Sequence, residues 1–170
     1  MRRRVFNGLL PAALLMGPGS ALGQGAGPYA GLAPDHPVQD YLRASQLIRA
    51  GQGDEAVYWF YRGQLRFRIR LRAHPELPPD GEPALFASLS SMLGEPVNQY
   101  AFGDIPKLAA TLDRVLAWHA ANDDPTTPKA RFPNAHRDVR AGLVAMRQQV
   151  VAEQDSIRAK RRENGLPNRN

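Results

Sequence analysis

From Val38 onward, apolar residues recur at spacings of three and four, and the pattern predicts five helices in an all-α fold. Tyr41, Leu42, Ala44, Leu47 and Ile48 make the stripe of an amphipathic helix over residues 38–50, which Gly51 and Gly53 stop. Asp54 offers an N-cap carboxylate to a second helix running to about Ala73. His74-Pro75 ends it, because a residue before proline avoids helical geometry. Asp80-Gly81-Glu82-Pro83 starts a third through Leu85, Phe86, Leu89, Met92 and Leu93, with Gly94 as its C-terminal cap and a connector over 95–103. Asp104 and Pro106 open a fourth, striped by Ile105, Leu108, Ala109, Leu112, Val115 and Leu116 and closed by Asn122-Asp123-Asp124-Pro125. The last runs from about Arg137 to Glu163, with Val139, Leu143, Met146, Val150 and Ile157 inward. At 1.5 Å per residue it is roughly 40 Å long, so its basic end, Arg158 to Arg162, projects into solvent.

Leu65-Arg66-Phe67-Arg68-Ile69-Arg70-Leu71-Arg72 alternates without a break, the period of a half-buried strand. Helix is nevertheless the expectation, since no partner strand is evident and a lone strand leaves its amides unpaired. On a helix, Arg62, Arg66 and Arg70 stack at successive i+4 positions beside Trp59.

Ala50-Gly51-Gln52-Gly53-Asp54-Glu55-Ala56-Val57-Tyr58-Trp59-Phe60-Tyr61 resembles the inter-helix turn and following helix of a tetratricopeptide or Sel1-like repeat. The resemblance covers residues 39–73 and has no second copy in the chain. It implies an antiparallel helix pair and not a solenoid, which needs about three units.

The N-terminal stretch has another character. Arg2-Arg3-Arg4, the apolar run Val5 to Met16 and the small residues of Gly17 to Gly23 are the three regions of a secretory signal peptide, with cleavage expected before Gln24. The run is too short for a stable membrane anchor, which takes roughly 20 residues. Its removal takes three arginines and no acid and lowers the formal net charge from +6 to +3. That mild balance on a chain bound for the periplasm or the exterior sets nucleic acid aside. The expected organisation is a flexible segment over 24–37, one compact domain over 38–164 and a disordered tail over 165–170, in a chain of 170 residues.

Candidate chemistry is sparse. With no cysteine, thiol nucleophiles, disulfides and Cys-bearing zinc sites are excluded. His119 stands near Asp123 and Asp124, but that trio is also ordinary helix-stop chemistry, and neither a metal nor a cofactor is assigned. His136 and Asp138 read as caps of the last helix. Glu55 and Glu95 could serve as acid and base in glycoside cleavage, yet no motif joins them.

Two features point outward. The connector spends Val97, Asn98, Gln99, Tyr100 and Phe102 together, as a buried turn or a recognition surface. Three stacked guanidinium groups repel one another, and the only acids on their own helix are Asp54 and Glu55 at its start. Trp59, Arg62, Arg66 and Arg70, with Tyr100 and Phe102, are therefore the expected partner-binding residues. Exchanging the three arginines for Gln is expected to spare the fold. The function class this favours is an exported, cofactor-free helical protein making a protein contact in the cell envelope, of adaptor or toxin-immunity type. The alternative is an enzyme or ligand-binding domain acting on an anionic envelope component through arginines.

Overall fold

A computed structural model describes residues 29 and 31–170, within which residues 32–170 form one unit. The expected signal peptide lies outside the described residues. Those described contain six helices and no strand: α1 (Val38–Arg49), α2 (Gly53–Ala73), α3 (Glu82–Ala101), α4 (Ile105–Ala121), α5 (Pro133–Ala152) and α6 (Gln154–Glu163).

The alternating segment is helical, inside α2, and its pattern has a structural meaning. At about 100° per residue, alternation on a helix sends the apolar members to two opposite sides and the polar members to two others. Both apolar sides are buried, Leu65 and Ile69 on one and Phe67 on the other, because α2 is the central helix, with α1, α3, α4 and α5 all packed on it. The two arginine rows, Arg62/Arg66/Arg70 and Arg68/Arg72, stand about 200° apart.

α1 folds back on α2 across Ala50-Gly51-Gln52, where Gly51 takes a φ of 73° that other residues rarely adopt. The two helices approach closely at Gly63, where a Cβ would stand 2.9 Å from the Tyr41 ring. Tyr41 in turn meets Phe60 and Phe67 edge-on, with ring centroids 5.5 and 5.9 Å apart. Asp54 does not cap α2. The helix starts one residue earlier, at Gly53, where the Tyr100 ring occupies the space a Cβ would need, and Asp54 instead accepts a 2.9 Å hydrogen bond from the Tyr100 hydroxyl.

The third helix departs furthest from expectation. Gly94 does not end α3, and the expected connector is its last two turns, leaving only Phe102-Gly103 before Asp104. Leu89, Leu93, Val97 and Ala101 are all buried at i+4 spacing, and burying that line outweighs the helix-breaking tendencies of Gly94 and Pro96. Pro96 itself is exposed, so the amide it lacks is missing on the solvent side. Asp104 caps α4 as expected, accepting a 3.0 Å bond from the Lys107 amide.

The final helix is two. α5 begins at Pro133, four residues earlier than expected, and Glu153 (φ −97°, ψ 10°) separates it from α6. The basic end is only partly in solvent, with Lys160 and Arg162 exposed. Arg161 is buried and donates to the Pro167 carbonyl at 2.8 Å. Residues 165–170, expected as a disordered tail, return to the α3–α4 corner. There the Arg169 amide donates to the Gly103 carbonyl at 2.7 Å and its guanidinium lies 3.6 Å from the Tyr100 ring centroid.

His136 is no helix cap but half of a buried pair. Its Nε2 lies 2.7 Å from the Thr127 carbonyl, which can only accept, so Nε2 carries the proton and Nδ1 is an acceptor. His119 must then donate from its own Nε2, 2.8 Å away, which leaves the buried His119 Nδ1 without a partner. A second proton on His119 would sit on that nitrogen, and burial, with His136, Lys129 and Arg140 nearby, pushes its pKa down to about 4.

Between pH 6.5 and 4 the unfolded chain thus binds a proton that the folded chain refuses. This contribution to stability is complete above pH 6.5 and falls by up to about 3 kcal/mol as the pH drops to 4. His36, also lowered by burial, adds in the same direction. The expected NMR titration of the His119 ring has its midpoint near pH 4, and a midpoint near 6.5 would contradict a buried, neutral His119.

Candidate binding groove

The first arginine row is engaged within the domain. Arg62 grips Asp40 of α1 with two nitrogens, at 2.5 and 3.2 Å, while its guanidinium lies 3.9 and 4.6 Å from the rings of Trp59 and Trp118. Arg66, only 7% exposed, reaches the same Asp40 at 3.2 Å, both oxygens of Asp124 at 2.7 and 3.3 Å, and the Asp35 carbonyl. Arg70 holds Glu82 at the start of α3 through both carboxylate oxygens. Repulsion along the row is therefore relieved by acids from α1, α3 and the α4–α5 loop, not from its own helix. Burial disfavours the Arg66 charge, but Asp124 and Asp40 outweigh it and its pKa rises. Burial likewise works against the Asp124 carboxylate, and Arg66 reverses that to hold its pKa below the usual range.

The six expected binding residues fall in three places. Trp59, Arg62, Arg66 and Arg70 share this network face. Tyr100 covers the start of α2, bound to Asp54, and Phe102 faces a groove on the other side of α2. His119, Asp123 and Asp124 do not converge. Asp124 is spent on Arg66, Asp123 accepts the amides of Asp124 and Lys129, and among the described residues no three His, Asp or Glu side chains are placed to hold a metal. Glu55 pairs with Arg114 at 2.5 Å and Glu95 with Gln99 at 3.0 Å.

The groove arises because α3 and α5 both pack on α2 without closing over one another. It encloses about 860 Å³, in the range of ligand-binding clefts. Phe60, Leu65 and Leu71 of α2 form the floor, Phe86 and Phe102 one wall, and Val139, Leu143 and Met146 of α5 the other. Its sparse polar groups include the Tyr61–Asn98 hydrogen bond, at 2.9 Å, and Gln64. At one end Arg72 and Asp138 pair across from α2 to α5 at 3.3 Å, and Phe102 stands toward the other. Along α2, from Phe60 to Arg72, the distance is about 18 Å.

Gly142 lies in the α5 wall, where nothing comes within 4 Å of the position a Cβ would take. A glycine inside a helix costs about 1 kcal/mol relative to Ala, and no neighbour demands this one. It leaves the α5 backbone open to the groove.

No protein-family model, curated protein or solved structure matches this chain. The groove and the charge network stand on their own geometry, and their residue signals were partly visible. Val139, Leu143 and Met146 read as a core stripe, and the Arg68/Arg72 row is implicit in the alternation of 65–72. Nothing local reveals that α3 and α5 stay apart.

Because Arg66 is the cation that holds buried Asp124 and the second partner of Asp40, Arg66→Gln leaves the Asp124 carboxylate buried without its counter-charge and is expected to cost about 3–5 kcal/mol in urea unfolding, reversing the expectation that the row could be exchanged freely. Exposed Arg72→Gln, which breaks only its rim pair, is expected to cost no more than about 1 kcal/mol.

Proposed function

We propose that this chain is a cofactor-free helical binding protein of the cell envelope whose receptor surface is the groove between α3 and α5. The observation that carries the reading is an apolar cleft of about 860 Å³ on the central helix, with a helix glycine in its wall that nothing in the fold requires. Export rests on the order of the basic, apolar and small-residue regions in residues 1–23. The tetratricopeptide-like character of residues 39–73 supports a docking role for the α1–α2 hairpin without adding a site.

Of the two classes, a protein contact and a ligand-binding domain, the groove favours the second. Its length is marked off by the Arg72–Asp138 pair and by Phe102, which suits a ligand of defined size better than a chain passing through. The Trp59, Arg62, Arg66 and Arg70 face, whose charges are matched internally, remains the surface on which an adaptor or immunity partner would rest.

N-terminal sequencing of exported material is expected to begin at Gln24, and recovery of the intact precursor would count against export. Gly142→Leu is expected to raise the melting temperature, since it removes a helix glycine, and to abolish the fluorescence gain of the neutral apolar dye Nile red with the wild-type chain. Dye binding that survives the substitution would place the receptor surface elsewhere.

A further inference from the structure

We infer that the groove takes a single-chain amphiphile with an anionic head group, its chain lying along α2 and its head on Arg68. The inference rests on the groove being the receptor surface and goes beyond that to ligand chemistry. Three features of the described residues lead to it.

The first is the charge ledger of α2. Arg62 and Arg66 are matched by Asp40 and Asp124, Arg70 by Glu82 and Arg72 by Asp138. Arg68 is the exception on this helix. It is exposed, lines the groove, and has no carboxylate partner among the described residues. Its Nε donates instead to the neutral Gln64 side chain at 3.1 Å, and its guanidinium lies 5.4 Å from the ring centroid of Phe86 in the groove wall. A guanidinium oriented by an amide and an aromatic ring at the lip of an apolar cleft presents its remaining donors to a carboxylate, sulfate or phosphate.

The second feature is the lining. Beyond Arg68 the ligand meets chiefly aliphatic and aromatic side chains, which reward an apolar body, and the one other ion pair on the rim is already matched. The third is the outline. From Arg68 to Phe60 the cleft runs about 12 Å along α2, with the Arg72–Asp138 pair at the end beyond Arg68, which fits one chain with a single charged terminus. Gly142 lets that chain lie against the α5 backbone.

The test uses the mature chain and three probes below their micellar concentrations: dodecanoate, dodecyl maltoside and dodecyltrimethylammonium. Binding is read by calorimetry and by methyl NMR shifts of Leu65, Leu143 and Met146. The wild type is expected to bind dodecanoate at least tenfold more tightly than the neutral or cationic probe. Arg68→Gln should bring dodecanoate down to the level of the maltoside without changing the maltoside, and Gly142→Leu should weaken both.

Equal binding of all three probes by the wild type, lost in Gly142→Leu, would overturn the anionic head while leaving the groove as receptor. Shifts that ignore Gly142→Leu would overturn the groove itself. Rejection of every amphiphile, with saturable binding of an amphipathic helical peptide at the same methyl groups, would assign the site to a protein segment instead.

Discussion

The organisation of this domain depends on one guanidinium. Arg66 sits almost fully buried at the middle of α2 and binds Asp40 from α1 and Asp124 from the loop between α4 and α5. Those carboxylates lie 84 positions apart in sequence, and each would be costly to bury alone. Arg66 thereby ties the N-terminal hairpin to the α4–α5 pair on one side of the central helix. Arg62 and Arg70 extend the seam in both directions, through Asp40 and through Glu82 at the head of α3. Charge, and not apolar contact alone, closes this side of the ring around α2.

The opposite side carries the groove. α3 and α5 each pack on α2 without meeting over it, and the cleft between them is lined along α2 by Phe60, Leu65 and Leu71. Alternation in residues 65–72 produces both sides at once. One set of arginines is turned into the seam and the other, Arg68 and Arg72, toward the groove. Their fates differ because Asp138 reaches Arg72 and no described carboxylate reaches Arg68.

The domain tolerates local conflict where burial outweighs it. α3 runs through Gly94 and Pro96 because Val97 and Ala101 still have core to fill. The His119–His136 pair is buried, with the His119 Nδ1 unsatisfied. Its cost falls on an acceptor, which is cheaper to leave unpaired than a buried charge.

By itself the amino-acid sequence determined the helical class, the placement of α1, α2 and α4 to within a residue or two, and the cap at Asp104. These follow from apolar spacing and from short-range hydrogen bonding, which act within a few residues. It misplaced the ends of α3 and α5, because Gly94 and Pro96 are local stop signals that a buried i+4 line overrides, and no glycine or proline marks the break at Glu153. It also picked out the arginine row beside Trp59 but not the row's ion pairs, since the acids that match Arg62, Arg66 and Arg70 come from other elements. Only the tertiary structure decided which arginines are paired, which aromatic residues are left facing a cleft, and that α3 and α5 stand apart. Ion pairing and packing across α2 join residues dozens of positions apart, and no periodicity within a single helix carries that information.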